Sequence, residues 1–348
     1  MVRDWSLALT WVLFSLSLHA VAGCVTAAEL SPQSLVEAHE SAIAAIRLID
    51  LTYEQGVESV RGVASSQQPV SCRWTADVLA RRERFRFKDY YRDEVTKSGP
   101  YPGYREVSRN GTEYRILEQW DWNRTQKLTP FEQRGVFAMI DPTLGESLQY
   151  RRLSPSKQLL WSFYLSSGKH FSLRELWMLA GNSHVEGGHV LCGLAVQRLV
   201  LRDIKPAVVG LDDPQAIPEL DIDIDPISMM VLRQVERFGN VLAKDAKNQQ
   251  RSTFETRHEV VKVRPLAGGI LLPVRIEHIA RLNDKETSKC WTQIVDAQIN
   301  EPLAEDALTF RFPEYALVKH LPAVNGLNKI ELWGADDRPI KEIKSDLG

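Results

Sequence analysis

The stretch His258–Leu282, HEVVKVRPLAGGILLPVRIEHIARL, constrains the fold more than any other. In its second half Val274, Ile276, His278, Ala280 and Leu282 fall on one side of an extended chain. Arg275, Glu277, Ile279 and Arg281 fall on the other. Side chains alternate across a strand with period two, so this is a half-buried strand with a mostly apolar inner face. Gly268-Gly269 supplies the turn back to a preceding strand. Similar alternation recurs along much of the chain. A chain of 348 residues can hold two average domains, but one large strand-rich domain also uses this length.

The N-terminus reads as an export signal. Arg3 precedes the apolar run Leu7–Ala22, which has the length of a signal-peptide core and is broken by Ser15, Ser17 and His19. Two cleavage readings compete. Val21-Ala22-Gly23-Cys24 resembles a bacterial lipobox, which would remove residues 1–23 and attach lipid to Cys24. Val25-Thr26-Ala27 fits ordinary cleavage, which would remove residues 1–27 and release a soluble protein. Lipidation would anchor the protein to a membrane without spanning it, facing the periplasm or the cell surface. Two further segments are expected: residues 29–320 as the main domain and 321–348 as an extension forming a small hairpin on it.

Taken in order, Ser31 caps a helix with Pro32 at its first position, and Leu35, Ala38, Ala42, Ile46 and Ile49 carry its apolar stripe through Asp50. Val70, Cys72, Trp74, Ala76 and Val78 line a strand face. In the next strand Phe85 and Phe87 alternate with Arg82, Arg84, Arg86 and Lys88. This basic row reads as a solvated outer face rather than a binding surface. Asn110-Gly111 marks a hairpin whose second strand carries Trp120 and leads to Trp122. The period then changes. Leu159, Leu160, Phe163 and Tyr164 suggest a short apolar helix. Ser172-Leu173-Arg174-Glu175 is a capping box for a second one carrying Leu176 and Trp177. Gly187-Gly188 reads as a turn, Asp225-Pro226 as the turn of another hairpin, and Leu308–Phe312 as a strand. The tail KIELWGADDRPIKEI reads as a hairpin around Asp336-Asp337.

Composition excludes more than it selects. The chain is 44% hydrophobic and 25% charged with a net charge of -2, so no overall basic excess points to nucleic acid. No GxSxG, phosphate-binding loop or dinucleotide fingerprint occurs. His39-Glu40 and His258-Glu259 begin like HExxH, but Ile43 and Lys262 replace the second histidine. Asp221, Asp223 and Asp225 share a strand face, yet Pro226 and Leu232 break a calcium-loop pattern, which leaves a solvated acidic face. No CxxC pair is present, and no catalytic group, metal or cofactor is expected.

Three segments together resemble the LolA/LolB-like superfamily of bacterial envelope proteins. They are IDIDPISMMVLRQVERF, GGILLPVRIEHI and INEPLAEDALTFRFPEYALV, the last carrying Asn300, Leu308, Phe310, Phe312 and Pro313. The resemblance implies an α+β fold: an antiparallel curved sheet forming an incomplete, half-open β-barrel, with an N-terminal helix and inserted helices covering the concave face. It further implies a non-enzymatic envelope protein that binds or carries a lipid, a lipoprotein acyl chain or another hydrophobic ligand. The cavity under such a lid would draw on Phe85, Phe87, Trp120 and Trp122 from the early strands. Leu159, Phe163, Leu176 and Trp177 would come from the inserted helices, and Val274, Ile276 and His278 from the hairpin that opens this section. The alternative is a lipid-anchored interaction module with a packed barrel and no ligand. A hydrolase with dispersed catalytic residues is a third reading, with His278 its candidate, although a core histidine with a satisfied hydrogen bond explains that position better.

Overall fold

The structure, a computed structural model, describes residues 30–60, 63–64, 69–91, 101–120, 136–141, 159–161, 163–164, 170–204, 217–242, 251–324 and 327–343. It contains two α-helices among them, α1 (Pro32–Ala44) and α2 (Leu173–Leu179). The first part of the chain forms β1 (Leu48–Val60), β2 (Val63–Ala64), β3 (Val70–Asp77), β4 (Arg82–Tyr91), β5 (Tyr101–Asn110), β6 (Glu113–Trp120) and β7 (Val136–Asp141). Two-residue strands β8 (Phe163–Tyr164) and β9 (His170–Phe171) pair only with each other. The middle forms β10 (Asn182–Leu191), β11 (Leu194–Arg202), β12 (Ile217–Ile224), β13 (Val231–Leu242), β14 (Arg251–Pro265), β15 (Leu271–Leu282) and β16 (Lys285–Ile299). The last part adds β17 (Leu317–Val324), β18 (Leu327–Trp333) and β19 (Pro339–Ile343).

These strands make one long ladder. β10 to β16 pair in chain order, and β16 then pairs with β1. β1 pairs with β3, and β3 to β7 follow in order. The ladder finishes with β17, β18 and β19, and β2 adds a short pairing at the end of β1. Every pairing is antiparallel except β7 with β17. Among the described residues the two ends, β10 and β19, do not pair with each other, so the sheet stays open.

This corrects the expected fold class. The chain is not an α+β half-barrel lidded by inserted helices but a mostly-sheet protein with one large open sheet. Its helices are only 13 and seven residues long. Residues 159–161 form a turn with Leu160 at φ 58°, and Phe163–Tyr164 is a strand, so the first expected inserted helix is absent. Apolar spacing over so few residues fits a helix and a buried turn equally, and only tertiary packing decides between them. The same applies at Ile49, which extends the helical stripe in sequence but lies in β1.

Other turns also shift. Gly187-Gly188 is a register irregularity inside β10, and the hairpin turns at Cys192-Gly193, with φ of 52° and 77°. Residues 308–312 form no strand. Phe310 and Phe312 instead cover a second core with Leu117, Ala138, Val318 and Trp333. Asp337 clamps that core: its carboxylate accepts from Trp333 Nε1 at 2.8 Å, Arg115 Nη1 at 3.0 Å and the Phe312 amide at 3.1 Å.

The main core lies on one face of the ladder. Leu35 and Val36 of α1 and Leu173 and Leu176 of α2 pack with Tyr53, Trp74, Phe85, Leu199, Ile222 and Ile276 from the sheet. The junction between α1 and β1 is fixed from a distant part of the chain. Asn300, just past β16, accepts from the amides of Arg47 at 2.7 Å and Leu48 at 3.3 Å and donates to the Ala45 carbonyl at 2.9 Å. Its own amide donates to the Leu48 carbonyl at 2.8 Å.

The acidic strand of β12 is not solvated. Asp223 is fully buried, with Arg198 Nε at 2.8 Å from one carboxylate oxygen and Arg233 Nε bonded to the other. Asp221 accepts from Arg237 Nη1 at 2.7 Å, and Arg202 Nη1 sits 2.8 Å from its second oxygen at ion-pair distance. Burial alone pushes the Asp221 carboxyl up; Arg237 and Arg202 outweigh it and hold it below the usual carboxylate range. The arginines lie over the carboxylates and shield them, so an exposed-looking acidic pattern becomes a buried ionic row. Asp225 is different. Its carboxylate accepts from the Ser228 amide at 2.8 Å and closes the β12–β13 turn.

Removing one member of a buried pair leaves its partner uncompensated. Asp223→Ala removes the carboxylate that Arg198 and Arg233 share and leaves Arg233 only Glu259 at 3.7 Å. It is expected to lower the urea-unfolding free energy by about 3–5 kcal/mol, a much larger loss than Glu40→Ala causes at the exposed pair Arg174–Glu40.

Candidate functional site

A cavity of about 280 Å³ opens at one end of the main core. Its origin lies in strand register. Ile49 of β1 sits opposite Ala76 of β3, Ala76 opposite Glu83 of β4, and Glu83 opposite Arg109 of β5. Four strands therefore lay one row of side chains across the sheet, and the small Ala76 leaves a gap in its middle. Trp74, two residues back on the same face, and Trp161 stand over that gap with ring centroids 6.1 Å apart. Ile43 from the end of α1 and Ile46 close the remaining side. The floor is thus apolar. The rim is charged, with Asp77, Arg81, Arg82, Glu83 and Arg109 around the opening.

The rim charges are not equivalent. Glu83 accepts from Trp74 Nε1 at 3.4 Å and faces Arg109 Nη1 at 3.7 Å. Partial desolvation against the cavity wall pushes its carboxyl above the usual range, against the downward pull of Arg109 and of the Trp74 indole, although 34% of the side chain stays exposed. Arg109 is itself held by the Gly111 carbonyl at 2.9 Å and lies over the Tyr114 ring at 5.6 Å. Asp77 accepts from the Ala80 amide at 3.0 Å and so shapes the β3–β4 turn. Trp161 is 8% exposed, and its indole N–H has no acceptor among the described residues.

The residues expected to line a cavity are placed elsewhere. Phe85 and Phe87 are buried with ring centroids 5.4 Å apart, and Phe85 stacks on Tyr53 at 6.5 Å. Leu159, Phe163 and Leu176 are buried in the same core. Trp177 packs against it and donates to Ser183 Oγ at 3.1 Å. Ile276 is fully buried and Val274 half-buried on β15. His278 Nδ1 lies 2.6 Å from His258 Nδ1, and its Nε2 lies 3.1 Å from Thr292 Oγ1. None of these lines the cavity described above. The side chain of Trp120, and Trp122 and Cys24 entirely, lie outside the described residues, as do both signal-cleavage sites.

The basic row of β4 also reads differently in place. Arg84 pairs with the buried Glu106, which also accepts from the Tyr104 hydroxyl, so this arginine is an internal tie and not a solvated charge. Arg82 faces the cavity mouth. No sequence signal marks Ala76, Trp161 or Glu83 as neighbours, because only the register of four strands and the turn at 159–161 bring them together. Among the described residues no group of three or more His, Cys, Asp or Glu side chains is placed to hold a metal ion.

No family model matches the chain, and no curated protein matches it. Among solved structures, MucB in complex with MucA(peri) is similar over 80% of this chain and 96% of that chain, at 10% identity and a TM-score of 0.17. A superposition that weak transfers neither architecture nor partner. The LolA/LolB-like resemblance rests on the short sequence segments alone.

The raised Glu83 carboxyl has a consequence for stability. A carboxyl whose folded value lies above its unfolded value, ordinarily about 4.3, leaves stability unchanged while both states are protonated. Stability is then lost as pH rises from that point to the folded value. Glu83→Gln removes the loss and keeps an acceptor for Trp74. The variant is expected to melt higher than the parent at neutral pH and equally below about pH 4, as read by thermal melts across pH.

Proposed function

We propose that this is a non-enzymatic binding protein of the cell envelope that holds an apolar ligand in the cavity under α1. The observation that carries the reading is an apolar-floored cavity left open at the edge of the main core. Protein interiors pack densely, and a lined void costs contacts that a ligand restores. Export is supported by the Leu7–Ala22 run, and membrane anchoring through Cys24 by the four-residue lipobox. The absence of any sequence motif for covalent or acid–base catalysis supports the non-enzymatic reading. A packed interaction module is the competing reading, favoured only if the cavity stays empty.

Native mass spectrometry of protein purified from its own host tests this directly. A retained small hydrophobic adduct is expected, with loss of the adduct in Ala76→Leu, which fills the gap between Ile49 and Glu83. Thermal stability of Ala76→Leu is expected to stay within about 1.5 kcal/mol of the parent, since the added volume enters existing space. Unchanged adduct in Ala76→Leu would place the ligand elsewhere.

A further inference from the structure

We propose that the ligand is a single-chain anionic amphiphile, with its tail on the Trp74–Ala76 floor and its charged head between Arg81 and Arg82. This deepens the reading above and rests on it. Three nearby arginines are paired: Arg73 with Asp50, Arg84 with Glu106 and Arg109 with Glu83. The mouth acids are engaged as well, Glu83 by Arg109 and Trp74, Asp77 by the Ala80 amide. Arg81 and Arg82 are exposed, and neither side chain makes a hydrogen bond or ion pair with another described residue. Among the described residues these two guanidinium groups therefore remain without a partner beside an apolar hole.

The backbone holds that pair in place. Arg81 sits at φ 52°, its amide donates to the Val78 carbonyl at 3.3 Å, and its own carbonyl accepts from the Gly111 amide at 3.0 Å. Glycine or asparagine would adopt that conformation at lower cost, so the turn itself does not call for arginine. Val78 and Leu79, on the same turn, are 48% and 68% exposed and extend the apolar surface past the rim. Guanidinium groups take carboxylate or phosphate oxygens through paired N–H donors, so either anion fits the chemistry.

Isothermal titration of the full chain with four probes of equal chain length separates the possibilities: dodecanoate, dodecyl phosphate, dodecanol and dodecyltrimethylammonium. Either anion is expected to bind at least about tenfold tighter than dodecanol, the effect of one charge-assisted hydrogen bond. The cation is expected to bind weakest. In the double variant Arg81→Gln with Arg82→Gln, checked for unchanged circular dichroism, the anions should fall to the level of dodecanol while dodecanol itself is unaffected. Equal affinity for all four probes would overturn the anionic head and leave the apolar pocket standing, as would an anion preference that survives in the double variant. No binding by any probe would overturn the pocket reading itself.

Discussion

Strand β1 holds the rest together. It pairs with β16 from Ile49 to Val60 on one side and with β3 from Leu48 to Gln55 on the other, and these pairings join the middle of the chain to its beginning. Without it the ladder would fall into two half-sheets with raw edges. The Asn300 side chain secures the start of that strand by taking two amides and one carbonyl at the α1–β1 junction. Asn300 has φ 60°, a left-handed position that asparagine tolerates better than most residues. Because the same junction presents Ile43, Ile46 and Ile49, the long-range staple also sets one wall of the cavity. The same long-range staple thus joins the start of β1 to the end of β16 and borders the cavity.

Where the alternation was strong, the sequence was readable. His258–Leu282 forms the hairpin it promised, with Gly268 and Gly269 at φ 76° and 78° in its turn. The Asn110-Gly111 hairpin, the Ser172–Glu175 capping box and the Asp225-Pro226 turn are likewise local signals whose chemistry needs no distant partner. Misreadings fall where a local pattern has two tertiary solutions. Leu159, Leu160 and Phe163 bury equally well as a helix face or as a turn and strand. Two glycines in β10 look like a turn but lie inside the strand, while the actual turn uses Cys192 in a left-handed conformation. The carboxylates of β12 look solvated because the arginines that cover them come from β11 and β13.

The cavity shows the same limit in a stronger form. Ala76 is unremarkable in sequence, and becomes important only when register sets it between Ile49 and Glu83. The large aromatic residues that sequence reasoning favours as cavity walls mostly fill the core, since big apolar surfaces are the groups most stabilised by complete burial. An opening is made by a small residue beside them. Charge follows a similar logic. Arg73, Arg84 and Arg109 are engaged by carboxylates, whereas Arg81 and Arg82 stand at the cavity mouth without a side-chain partner among the described residues.

The most direct test of this account is a high-resolution crystal structure of the protein purified without delipidation from its native host. Continuous density running from between Trp74 and Trp161 to the mouth near Arg81 is the predicted result. Trp74, Trp161 and Ile46 collapsed together over Ala76, with no space between them, would contradict it.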